Sequence, residues 1–185
     1  MFEILRDPIT RGSLVGRPAL SVPASMPTPM RERPGDLELL GEALRDEVRA
    51  RFAGSFKLRH LDVGSCNACE GELAALLNPF HDLQRFGLDL VASPRHADGL
   101  LVTGPVSRHL EEALRLTDEA TPRPRLVIAI GDCACDGGFC GSSFAVAGGV
   151  AKVLPVDVRI PGCPPRPDAI LEGLLAALGR VRVRG

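Results

Sequence analysis

Four cysteines carry the chemistry of this sequence. Cys66 and Cys69 form a C-x-x-C pair in CNAC, Cys133 lies in GDCACDGG and Cys163 in PGCPP. Four thiolates gathered in one place make a cage for a soft, tetrahedral metal centre, and the ligand set favours an iron–sulfur cluster over zinc. A lone C-x-x-C also marks thioredoxin-like dithiols and zinc sites, so both readings stay open on residue types alone. Structural zinc sites show two close ligand pairs, whereas one pair is close here. Dithiol chemistry has no use for a distant thiol in PGCPP.

The residues around the cysteines suit a bulky inorganic group. Glycines flanking Cys133 let backbone approach a cluster closely and free N–H groups to bond its sulfurs. Prolines on both sides of Gly162-Cys163 stiffen that loop without regular structure. Cys135 and Cys140 share the Cys133 loop. They read as spare thiols, with Cys135 a competing ligand for the place of Cys133. Glu70 directly follows the pair. Beside a cage that gains negative charge it is a candidate for proton coupling, because added negative charge favours a protonated carboxyl. A Glu in the first turn of a helix, favoured by the macrodipole, is the plainer alternative. His60, His81, His96 and His109 are scattered, and His96 reads as a loop-packing residue rather than a ligand or proton relay.

Elements that alternate along the chain must bring these loops together. Apolar residues at helical spacing from Asp36 to Phe52 predict an amphipathic helix ending near Gly54. Strands are predicted at 58–64, 88–93, 98–104, 125–131 and 156–162. Helices are predicted at 70–77, 107–120 with Ser107 as N-cap, and 167–178. The run RLVIAIG is apolar almost throughout, as a parallel strand buried on both faces requires. The result is an α/β fold with an open, mostly parallel sheet and helices on both faces. The cysteine loops follow predicted strands, so they fall on the carboxyl edge of that sheet, where such folds hold ligands. Two parts are expected: an N-terminal arm and helix over 1–55 that binds partners, and the α/β domain over 56–185.

Composition narrows the function classes. Hydrophobic residues make up 45% of 185, enough for a core, and 22 basic residues balance 23 acidic ones. No nucleic-acid footprint is present, and seven Phe without Trp or Tyr offer no stacking platform. The opening MFEILRDPITRGSLVG lacks a signal-peptide apolar run, and no stretch approaches the ~20 apolar residues of a spanning helix. A cytoplasmic location is therefore expected, where six cysteines do not serve as three structural disulfides.

The segments GSCNACEGEL, FGLDLVASPRHADGLLVTGPVS, GDCACDGG and VDVRIPGCPPRPDAILEGLLAAL, in this order over roughly 58–180, resemble the small subunit of energy-converting, formate hydrogenlyase-like [NiFe]-hydrogenases. That family is homologous to the B subunit of respiratory complex I. The resemblance implies a flavodoxin-like fold and one [4Fe-4S] cluster, proximal to a catalytic partner, with Cys66, Cys69, Cys133 and Cys163 as ligands. It implies three kinds of partner: a [NiFe]-hydrogenase-like large subunit, a ferredoxin-like iron–sulfur subunit, and integral membrane subunits. These would hold the chain on the inner face of the cytoplasmic membrane. Complex I B subunits resemble one another in a tandem Cys-Cys at the first ligand position. Here Ser65 precedes Cys66, as in the hydrogenase branch. The expected function is electron transfer in a hydrogenase complex. A complex I-like subunit delivering electrons to quinone is the runner-up, and a zinc-binding scaffold stands third.

Overall fold

The computed structural model describes residues 36–180. The arm expected over 1–35 lies outside the described residues. The main sheet has five parallel strands: β1 (Phe56–Asp62), β2 (Leu88–Leu90), β3 (Gly99–Thr103), β5 (Leu126–Ile130) and β7 (Val158–Ile160), in the order β2-β1-β3-β5-β7. This is the flavodoxin-like order, with its reversal between β1 and β3. A two-stranded antiparallel ribbon, β4 (Val106–Ser107) with β6 (Val146–Gly148), stands beside it.

The period-2 alternation of each strand divides the core in two. Leu101, Ile128 and Ile130 face one side, with Leu44 and Val48 of α1 (Asp36–Phe52), Leu73 of α2 (Ala68–Ala75) and Leu171, Leu174 and Leu178 of α5 (Pro167–Arg180). Leu100, Val102, Val127 and Ala129 face the other, with Leu114 of α3 (Glu111–Ala120) and Ala134 of α4 (Asp132–Asp136). Helices therefore cover both faces, as expected for central strands that are apolar throughout. α1, the described part of the segment expected to bind partners, has one face in this core.

Three local readings are corrected. Ser107 does not cap a helix. It pairs with Val146 in the ribbon, and the helix starts at Glu111 after Leu110. The GDCACDGG segment holds the short helix α4 rather than a loop alone. The first strand runs Phe56–Asp62 rather than 58–64: Phe56 already pairs with Leu88, and the chain leaves the sheet after Asp62 and turns through Gly64.

Candidate metal centre

The loops after β1, β5 and β7 reach one edge of the sheet, each carrying cysteine. The CNAC loop is shaped by its own backbone. Asp62 Oδ1 accepts from the N–H groups of Gly64 at 2.8 Å and Ser65 at 2.7 Å. Asn67 takes a left-handed conformation (φ 69°), which Asn tolerates, and launches α2 at Ala68. The chain thus reverses between Cys66, which is exposed, and Cys69, which is buried in the first turn of α2.

Asp132 clasps the other two loops together. Its N–H donates to Gly162 O at 2.9 Å, while its Oδ1 accepts from Gly162 N–H at 2.8 Å. Gly131 N–H also donates to Ile160 O at 2.8 Å. Cys133 and Cys163 flank this clasp, so the Asp132 carboxylate and the backbone together hold their loops side by side. The signal was present in the sequence as the Asp before Cys133, but nothing there identified its partner.

Two glycines lie against sulfur. A Cβ on Gly131 (φ 87°) would stand 2.6 Å from Cys69 Sγ, and one on Gly138 (φ 52°) 2.8 Å from Cys133 Sγ. Both positions need left-handed backbone and both leave room that any side chain would fill.

The thiols share one electrostatic field. Burial pushes the Cys69 thiol up to about 12, with Glu70, Cys133, Cys66 and Cys163 adding to the rise in that order. Burial also raises Cys133, followed by Cys163, Cys66, Cys140 and Asp132. Every cause acts in the same direction, and no cation is among them. A nucleophilic dithiol needs the opposite, a thiolate favoured by positive charge. A bound metal cation would offset the rise at Cys69 and Cys133, because thiolate is the form that ligates. The donor set therefore fits a soft metal group. Among the described residues, no three His, Cys, Asp or Glu side chains close to the spacing of a single bound ion.

Cys135 is on the wrong side of α4 to join. Residues two apart on a helix point in nearly opposite directions. Its Sγ lies 3.8 Å from Ala129 O and the side chain packs on the α3/α4 side of the sheet. Cys140 is exposed and reaches the field of Cys133.

Glu70 sits in a hydrogen-bonded pocket beside Cys69. Ser65 Oγ donates to its Oε2 at 2.6 Å, and Thr103 Oγ1 donates to its Oε1. With its proton turned to Glu70, the Thr103 oxygen accepts from His60 Nε2, 3.0 Å away. His60 Nε2 is also 3.6 Å from Glu70 Oε1. Thr103 is fully buried at the carboxyl end of β3, and burial holds His60 below its usual range despite Glu70 and Asp62. Sequence reasoning treated His60 as scattered and passed over Thr103. Only the β1–β3 register, which sets His60 two residues before the end of β1 and Thr103 at the end of β3, brings them to Glu70. His81 contacts Ala75 O at 3.0 Å through Nδ1, and His96 is exposed.

Against known proteins, the family described as NADH ubiquinone oxidoreductase, 20 Kd subunit, matches residues 66–177. The chain is 49% identical over 122 residues to the probable membrane-bound hydrogenase subunit mbhJ of Pyrococcus furiosus, covering 66% of this chain and 73% of that one. It is 44% identical over 147 residues to formate hydrogenlyase subunit 7 of Escherichia coli, covering 77% of this chain and 58% of that one. Among solved structures, a chain of the membrane-bound sulfane sulfur reductase, an archaeal respiratory membrane complex, superposes with a TM-score of 0.61 at 32% identity over 75% of each chain.

Proposed function

The chain belongs to the NADH ubiquinone oxidoreductase 20 kDa subunit family, and on that premise we propose that it is the electron-transfer small subunit of a membrane-associated [NiFe]-hydrogenase complex. It is an oxidoreductase subunit, of the hydrogenase or complex I B type. In the proposed role Cys66, Cys69, Cys133 and Cys163 hold one [4Fe-4S] cluster, proximal to a nickel–iron large subunit and in series with ferredoxin-like subunits. When bound, the cluster supplies reversible one-electron storage.

The observation that carries this reading is the meeting of three cysteine loops, with four free thiols among them, at one sheet edge. The chain's own residues prepare the edge. The Asp132–Gly162 clasp fixes the spacing of the Cys133 and Cys163 loops. Gly131 and Gly138 leave backbone bare beside two sulfurs. Glu70, held by Ser65 and Thr103, keeps a carboxyl next to Cys69, where it can take a proton when negative charge arrives.

Among the described residues no helix is long and apolar enough to cross a membrane. Partner subunits would therefore hold the chain at the membrane, on the cytoplasmic face in this reading, with residues 1–55 contributing to their contacts.

The test is iron analysis and EPR of the anaerobically purified complex. Four irons per chain and a signal on reduction are expected, with both lost in Cys163→Ala and kept in Cys135→Ala. Stoichiometric zinc without iron overturns the proposal in favour of a scaffold. The complex I-like reading is favoured by the family name itself, and Ser65 in place of a tandem cysteine weighs against it. Hydrogen-dependent against quinone-dependent turnover of the same complex separates the two.

A further inference from the structure

The amino ends of the strands frame a cavity of about 1260 Å³. Phe52 stands before β1, Arg95 and His96 before β3, Arg123 before β5 and Pro155 before β7, and all of them line it. The strands are parallel, so this edge lies a strand's length from the cysteine loops, about 16 Å for a five-residue strand. The cavity's carboxylates are already engaged in the fold. Asp98 Oδ2 accepts from Lys57 N–H at 2.8 Å, while its own N–H donates to Lys57 O at 2.7 Å. Asp157 repeats that clamp on Val127, with 2.8 Å to its Oδ2 and 2.9 Å from its N–H. Both oxygens of Asp118 accept from Arg125.

The cations are left over. Among the described residues, the side chains of Arg95, His96 and Arg123 make no hydrogen bond or ion pair. Unpaired guanidiniums are ordinary on a flat surface, where water solvates them. Here they share one concavity, on backbone that is held in place. Arg95 and His96 sit on the single turn Pro94–His96, closed by bonds from His96 N–H to Ser93 O at 3.2 Å and from Ala97 N–H to Pro94 O at 3.1 Å. Arg123 lies between Pro122 and Pro124, whose rings restrict its backbone on both sides. A ligand therefore meets cations whose anchorage is already ordered. The geometry also selects the ligand's charge and shape. A planar carboxylate fills one Arg fork. Two guanidiniums from separate loops, with an imidazole next to one of them, match a tetrahedral anion with oxygens in several directions. A bare anion would fill little of this volume, and Phe52, Pro122 and Pro155 give it apolar walls, so the anion is one that carries a body.

We propose that this cavity binds the phosphate group of a phosphate ester, with Arg95 and Arg123 as its charged partners and His96 as a further donor. The phosphate is the chemistry shared by two sources, an anionic phospholipid headgroup and a small soluble ester. The site stands apart from the cluster reading, because none of these residues belongs to the cysteine edge.

The test uses the full chain, purified anaerobically in phosphate-free buffer. Equilibrium dialysis against radiolabelled inorganic phosphate is expected to show one saturable site per chain. Glycerol phosphate should displace the label, and chloride at equal ionic strength should not, which separates binding from screening. Arg95→Gln and Arg123→Gln should each weaken binding at least about tenfold, the scale of a lost charge-assisted hydrogen bond. Co-sedimentation with phosphatidylglycerol vesicles, against phosphatidylcholine vesicles, separates the two sources. Arginine-dependent capture by the anionic vesicles identifies a headgroup, and no capture with phosphate still bound identifies a soluble ester. Absence of saturable phosphate binding, or binding that both variants leave unchanged, overturns the proposal. The melting temperature tests the plainer role of the same residues. Neither guanidinium bonds anything among the described residues, so both variants should melt in chloride no lower than wild type. A fall in Tm assigns the arginines to the fold and defeats the site.

Discussion

Adding one methyl group at Gly131 tests whether the cage is built from backbone as well as thiols. Gly131 has φ 87° and ψ 156°, a region that only glycine occupies comfortably. Alanine there carries about 1–3 kcal/mol of backbone strain. Its Cβ would also stand 2.6 Å from Cys69 Sγ, well inside contact distance. Overpacking of this kind adds about 1–3 kcal/mol, unless the cysteine swings away and leaves the cage. Two other glycines separate these effects. Gly54 has φ 93° but nothing within 4 Å of its Cβ position, so Gly54→Ala isolates the backbone strain. Gly71, exposed within α2, has neither problem. There alanine is expected to stabilise by about 0.5–1 kcal/mol through helix propensity. For a chain of this size each kcal/mol moves Tm by roughly 2–4 °C. The expected order of Tm in the anaerobic complex is Gly71→Ala above wild type, then Gly54→Ala, then Gly131→Ala. Iron content should fall in Gly131→Ala alone. Full iron together with the Tm of Gly54→Ala would refute the claim that bare backbone at 131 makes room for the Cys69 sulfur.

Three further outcomes follow from the same geometry. Glu70→Gln is expected to flatten the pH dependence of the cluster midpoint potential in redox titrations, and an unaltered slope removes Glu70 from proton coupling. Asp118 and Arg125 form a bidentate pair with side chains 12% and 10% exposed, so Asp118→Asn strands a buried guanidinium. That costs about 3–5 kcal/mol, on the order of 10 °C in Tm, without loss of iron. His60 is held below the usual imidazole value near 6.5, mainly by burial. As pH falls through that value the unfolded chain gains the proton first, so stability drops towards the folded-state pKa and is level above about 6.5. The Tm difference between about pH 7.5 and 5.5 should therefore shrink in His60→Gln, and an equal difference assigns the acid sensitivity elsewhere.

The parallel sheet was legible because β3 and β5 are apolar on both faces, and only burial between two helical layers tolerates that pattern. The ribbon was not. Val106–Ser107 and Val146–Gly148 are too short for any periodicity, and their pairing is non-local. Ser107 consequently passed for an N-cap, which its side-chain chemistry permits. At the site, the cysteine loops declared themselves by residue type and by following strands. Asp132, Thr103 and His60 did not, because their importance lies in which neighbour the register supplies. Asp132 looks like any polar residue after a strand until Gly162 is beside it. Cys135 was an open competitor in sequence, and its place two residues after Cys133 on α4 turns it to the opposite side of that helix.

The strand order gives these details a common cause. Cys66 and Cys69 follow β1, Cys133 follows β5 and Cys163 follows β7, so the cysteine loops straddle β3. β3 ends without a cysteine. It supplies Thr103, whose hydroxyl reaches the one carboxylate adjoining the C-x-x-C pair. The sheet reverses its winding at β1 and β3, and the crevice there is the place where folds of this order bind their ligands. Thiols on either side and a hydroxyl–carboxylate contact between them would be an odd arrangement for a structural zinc, which needs only four close donors. In the proposed role, that contact would hold a carboxyl where a proton could balance charge on the thiol cage.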